Sequence, residues 1–335
     1  MGSWSKIGLL RKSASALVAA IFAVSFVHAR QARAQDFVPG SGKRVMEVGD
    51  DFEDPKWNYI ANLPKSSENI DGQARLPGGV SANGRWFEPQ MRGAPDIVRR
   101  VETPPGGLPG SKGSMLMQTL WSGVPGRASF KPQQDDFVAD VASKIGLIPI
   151  SRSPSVVVRV YLPPFDKWEK RTGNSFGYRA CIHTTKTSSS GFWGRHETKG
   201  DIFWPGMFIC FYSHVDSGAK EDSAQFIIRA NQIGQDVAGP RIAKGDCWYT
   251  LGMSFGANGQ VNYYVKQGVE NLTAKDHVAS YFAYGDKCEQ FESFFFDLVN
   301  MDDGKSWSTK WIVDDAFMYI GDGSGMASNN GGRRQ

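Results

Sequence analysis

The second half of the chain is written in short runs rich in β-branched and aromatic residues, each closed by turn formers, and this punctuation constrains the fold more than any other feature. The runs cover residues 156–162, 176–184, 207–212, 225–230, 248–254, 261–266, 291–299 and 311–320. Residues 36–134 are dense in turn signals such as Pro77-Gly78-Gly79, Asn83-Gly84 and Pro104-Pro105-Gly106-Gly107, with short strands expected at 44–52, 97–101 and 114–120. Ala257-Asn258-Gly259 predicts a tight hairpin between two of the runs, because Asn and Gly accept the positive φ such a turn needs. With no internal repeat and almost no helical periodicity, the pattern predicts an all-β, two-sheet antiparallel sandwich with long loops.

The N-terminus carries Lys6, Arg11 and Lys12, an apolar run over 14–27 and the small-residue site Ala32-Arg33-Ala34. That layout predicts a cleaved signal peptide over 1–34 and a secreted or periplasmic protein. The apolar run is shorter than the roughly 20 residues a bilayer requires, so no membrane span is expected. An N-terminal linker (35–50), one domain (51–322) and a disordered tail (323–335) complete the expected organisation.

Of the formal net charge of +4, the leader contributes Lys6, Arg11, Lys12, Arg30 and Arg33. Without them the chain is close to neutral, which removes the basic footprint of a nucleic-acid binder. Cys181, Cys210, Cys247 and Cys288 are even in number, widely spaced and without a C-x-x-C pair. In an oxidising compartment they predict two disulfides, with three pairings open. Oligomeric state is not encoded in any of these features.

Asp51-Phe52-Glu53, Trp248-Tyr249-Thr250-Leu251 and the closing run over 311–320 resemble the first, middle and last strands of concanavalin A-like jelly rolls. That superfamily includes lectins, carbohydrate-binding modules, glycoside hydrolases and polysaccharide lyases. The resemblance implies a jelly-roll sandwich and a polysaccharide or glycan partner. It also implies a structural calcium between first and last strands, with Glu53 and Asp315 as its carboxylates; no other cofactor is expected.

Strand alternation sorts the side chains by face. Arg159, Arg179, His183, Arg229, Asn262, Tyr264 and Lys266 all fall on the polar faces of their strands. If those strands share a sheet, the face matches what β-elimination on a uronic-acid polymer needs: groups that neutralise the carboxylate, a base for the carbon acid and an acid for the leaving oxygen. Cys181-Ile182-His183 and Tyr264-Val265-Lys266-Gln267-Gly268 resemble the His strand and the Tyr-x-Lys-x-Gly strand of jelly-roll alginate lyases, which implies catalytic roles for His183 and Tyr264. Cys181 stands where that family has Gln, and Arg229 substitutes for an arginine-rich strand that the chain lacks. Arg159, Arg179, Asn262 and Lys266 are the expected substrate-binding set.

The Glu-x-Asp-x-Glu strand of laminarinase-like enzymes, which supplies paired carboxylates for glycoside hydrolysis, is absent. Trp193 and Trp204, in an aromatic stretch over 191–206, are suited to stacking on sugar rings. These readings predict an exported carbohydrate-active protein, either a lyase acting on an acidic polysaccharide or a non-catalytic glycan-binding or cell-surface module.

Overall fold

The protein is described from a computed structural model covering residues 37–321 except 122, 125, 127 and 191–194. The expected signal peptide, the tail and Trp193 lie outside the described residues. Two antiparallel sheets pack face to face in a jelly-roll sandwich. The eight-stranded sheet runs, in spatial order, His277–Tyr281, Val261–Gln267, Cys247–Phe255, Ser155–Leu162, Trp311–Ile320, Ser114–Gln118 and Ile97–Val101. Lys43–Asp50 pairs with the C-terminal half of Trp311–Ile320, Lys43 opposite Ile320 and Asp50 opposite Ala316. The domain therefore begins inside the expected linker.

The eleven-stranded sheet has the order Val237–Ile242, Ser223–Arg229, Gly206–Tyr212, Ser175–Ser190, Gln290–Met301, Pro132–Ala139 and then three short strands, Trp86–Phe87, Val80–Ser81 and Tyr59–Ile60. Ser175–Ser190 is its organising strand. The first half pairs with Gly206–Tyr212 on one side and Gln290–Met301 on the other, while the second half pairs with Arg195–Phe203. The expected hairpin forms between Cys247–Phe255 and Val261–Gln267, with Gly259 at φ 88° and its N–H donating to the Gly256 carbonyl. No helix among the described residues is long and apolar enough to cross a membrane.

Alternation supplies the core. Val156, Val158, Val160 and Leu162 from one sheet face Phe176, Tyr178, Ala180 and Ile182 from the other, all buried. Large rings fill the middle: Trp86 stacks on Phe137 and Phe296 at 5.4 and 5.3 Å, and Trp311 meets Phe176 and Trp168 at 5.1 and 4.9 Å.

All four cysteines are free, in place of the expected disulfides. Cys210 lies opposite Ser175, six residues along the same strand from Cys181, so those two are about 20 Å apart where a disulfide tolerates about 7 Å between Cα atoms. Cys247 opens the strand whose far end leads to Gly259, and Cys288 donates its N–H to the Gly259 carbonyl. That pair is separated by the length of the hairpin.

A buried charge ties the N-terminal loops to the sandwich. Lys65 Nζ reaches Asp135 Oδ2 at 2.6 Å and Asp96 Oδ1 at 3.3 Å, and it donates to the Ala94 carbonyl. Burial works against its charge, but the two carboxylates outweigh that penalty and hold its pKa above the ordinary value. Lys65→Ala strips Asp135, fully buried, of its counter-ion, and the expected loss is about 3–5 kcal/mol. Urea unfolding followed by tryptophan fluorescence measures it, and a loss under 1 kcal/mol would contradict this account.

Candidate functional site

The outward side of Ser175–Ser190 carries Ser175, Gly177, Arg179, Cys181 and His183, because Phe176, Tyr178, Ala180 and Ile182 point into the core. Arg179 is the centre of this face. Its Nη1 donates to Asp297 Oδ2 at 3.0 Å, its Nη2 to the Trp204 carbonyl at 3.0 Å, and its guanidinium lies 5.5 and 5.4 Å from the Phe208 and Phe295 ring centres. Gly206 makes this possible, since a Cβ there would stand 2.7 Å from the Arg179 Cγ.

Arg229 lies opposite Gly206 on the next strand, forms a bidentate pair with Asp236 at 3.0 and 2.7 Å, and sits 4.7 Å from the centre of the same Phe208 ring. Two guanidiniums thus share one aromatic ring. Tyr284 approaches them from a separate loop and donates its hydroxyl to the Trp204 carbonyl at 3.4 Å. Its backbone is held at φ 60°, a strained conformation for an aromatic residue. Burial raises its pKa, and the charges of Arg179 and Arg229 pull the other way. Trp204 itself is 42 % exposed beside them.

Four residues along the strand from Arg179, a distance of roughly 13 Å, His183 Nε2 meets Glu292 Oε2 at 2.5 Å. Glu292 is available because of a bulge: Cys181 pairs with Ser293 and Ile182 with Phe291, so Glu292 is the extra residue and turns outward. Cys181 Sγ also donates to Glu292 Oε2, at 3.3 Å. Burial and that carboxylate push the Cys181 pKa up, so the thiol stays protonated and is no nucleophile.

The face also holds two carboxylates that strand alternation alone did not single out. Asp136 and Asp297 are directly opposed across neighbouring strands, exposed by only 9 % and 0 %. Arg92 Nη1 lies 3.5 Å from Asp136 Oδ2 and 3.6 Å from Asp297 Oδ2. Burial, and then the Asp297 charge, push the Asp136 carboxyl up to about 7 against the pull of Arg92 and Arg179.

The expected site residues do not all meet here. Arg179, His183, Arg229 and Trp204 belong to this face, whereas Arg159, Asn262, Tyr264 and Lys266 lie on the outer face of the other sheet, with the core between the two sets. His183 and Tyr264 therefore cannot act on one sugar. Tyr264 is 1 % exposed and packs against Val157, Leu272 and the His277 ring. Arg159 is spent on the Val269 carbonyl, Asn271 and Asp315, Lys266 donates to the Asn271 carbonyl, and Asn262 bonds Ser254 and Ser280. These residues hold down the loop after Val261–Gln267 and its neighbours.

The calcium ligands expected from the resemblance fit poorly. Glu53 accepts the Lys112 and Gly113 N–H groups and Asp315 pairs with Arg159 at 3.4 Å, while calcium takes six to eight oxygens. Among the described residues no group of three or more His, Cys, Asp or Glu is arranged to hold a metal.

No protein-family model and no curated protein matches the chain. Among solved structures it is similar to the marine PL7 alginate lyase AlyA1 from Zobellia galactanivorans, at 10 % identity over 79 % of this chain and 92 % of that one, with a TM-score of 0.37. An alginate lyase from Pseudomonas aeruginosa follows at 9 % identity, 67 % and 86 % coverage and a TM-score of 0.34. The endo-β-1,4-glucuronan lyase of the fungus Trichoderma reesei has 8 % identity, 67 % and 90 % coverage and a TM-score of 0.33.

Because Asp136 titrates higher in the folded protein than its ordinary 3.8, its ionisation opposes folding. The penalty is absent below the ordinary value, grows as pH rises, and is complete above about 7. Asp136→Asn is expected to raise the thermal midpoint more at pH 8 than at pH 5. Equal shifts at both pH values, read by calorimetry, would refute the burial argument.

Proposed function

We propose that the protein is an exported, carbohydrate-active jelly-roll protein that engages an acidic glycan along the outer face of the eleven-stranded sheet. The observation that carries this reading is the pair Arg179 and Arg229 on one Phe208 ring, flanked by Tyr284 and the exposed Trp204. Guanidiniums recognise a uronate carboxylate, and an exposed indole stacks on the apolar side of a sugar ring.

In its catalytic form the chemistry is β-elimination. A base removes the proton beside the carboxylate, the electron pair forms the ring double bond, the C4–O bond breaks, and the leaving oxygen takes a proton. Arg179 and Arg229 stabilise the charge that gathers on the carboxylate. Tyr284, kept protonated by burial beside the two guanidiniums, supplies a proton to the leaving oxygen, while His183, oriented by Glu292 through Nε2 further along the strand, meets a neighbouring sugar of the polymer.

A second reading, binding without turnover, has its own support: Arg179 and Arg229 are already paired with Asp297 and Asp236, so a glycan carboxylate has to compete for them. Purified protein offered alginate, glucuronan and polygalacturonate is expected to release unsaturated products, seen as new ultraviolet absorbance. Tyr284→Phe is expected to cut that release by about 10²–10⁴-fold with the fold intact. Binding that Arg229→Ala weakens, without product from any polymer, selects the module. No binding to any of the three overturns the proposal.

A further inference from the structure

We infer that Asp136, pressed against the Asp297 carboxylate, keeps a proton and acts with it as a positioning pair for Arg179, so that the protonation of Asp136 sets how available Arg179 is to an anionic ligand.

The geometry comes first. The two residues face each other across an antiparallel register, where opposed side chains are about 5 Å apart at Cβ, and both are buried. Asp136 Oδ1 and Asp297 Oδ1 have no hydrogen-bond partner among the described residues, and neither has Arg179 Nε. Two carboxylates so close and so dry do not both ionise easily, and one of them keeping its proton is the usual resolution. The charged groups that face them are Arg92, from the loop before Ile97–Val101, and Arg179, from Ser175–Ser190; Arg229 lies further off beyond Phe208.

The charge count gives the consequence. With one proton on the pair, Arg92 and Arg179 outweigh it and the patch is net positive. With none, two carboxylates balance two guanidiniums, and Arg179 is held by Asp297 more firmly. The burial that lifts Asp136 to about 7 places the change in the neutral range. The proton on Asp136 therefore favours an anionic ligand on the acid side of neutrality.

The primary test needs no ligand. In the full chain, ¹³C NMR of aspartate carboxyls is expected to show Asp136 titrating near pH 7, with the Arg179 ¹⁵Nε resonance moving over the same range. Asp136→Asn is expected to leave the Arg179 resonance flat with pH; if that variant fails to fold, the wild-type titration decides alone. An Asp136 carboxyl fully ionised by pH 5, or an Arg179 resonance that ignores its titration, overturns the inference.

The second arm rests on the proposed glycan reading. Sodium polyglucuronate binding to wild type is expected to weaken between pH 6 and 8 by up to about tenfold per pH unit, the limit for one linked proton, and to be flat in Asp136→Asn. Failure of polyglucuronate to bind at all counts against the glycan reading. A wild-type affinity that does not change with pH counts against the coupling.

Discussion

Ser175–Ser190 has to satisfy three neighbouring strands at once, and the position of nearly every candidate functional group follows from that constraint. Its inward residues Phe176, Tyr178, Ala180 and Ile182 are locked in an aromatic and aliphatic core, so the strand can neither slip nor rotate without taking its entire buried set to the surface. The outward residues inherit that rigidity. Arg179 is held at both ends of its guanidinium by Asp297 and the Trp204 carbonyl, and it lies over a glycine that leaves room for its stem. A side chain with so little rotamer freedom left has prepaid much of the ordering cost of binding.

Asp135 and Asp136 show how one step along a strand changes what a charge does. Asp135 points inward and meets Lys65, so opposite charges share the low-dielectric interior and the N-terminal loops are fastened to the sheet. Asp136 points outward but is covered, and its nearest neighbour across the strands is another carboxylate. The first arrangement contributes structure once its desolvation cost is offset by the pair. The second leaves a destabilising contact in place, and proteins keep such contacts where a chemical group has to be tuned.

The strands, the Asn258-Gly259 hairpin and the inward or outward sense of each side chain were legible because turn chemistry and period-two alternation are local properties. Sheet membership is not local. Arg179 and Arg159 both sit on polar strand faces of similar composition, yet they end on opposite outer surfaces, and nothing within either run says which partner strand it takes. The same limit explains Tyr264, whose motif-like surroundings matched a catalytic strand while its position under Leu272 makes it a packing residue. The number and spacing of the cysteines carry no information on Cα separation. Asp297 did leave a trace, as the one acid among Phe294, Phe295, Phe296, Leu298 and Val299. Tyr284 left none, since a loop residue at positive φ is set by the turn around it.

Glu292 marks the point where alternation itself fails. Counting by twos from Phe294 and Phe296 assigns Glu292 to the core, where a lone carboxylate would be costly to bury. The bulge between Ser293 and Phe291 removes that conflict by giving the strand one extra residue and turning the carboxylate toward His183 and Cys181. The local ladder loses one step of regular pairing, and in return a histidine on an exposed face gains a fixed orientation that no neighbour on its own strand could supply. Where a regular element is interrupted to aim one polar group at another, packing alone does not account for the interruption, and the His183–Glu292 contact is the feature of this face that a purely structural role explains least well.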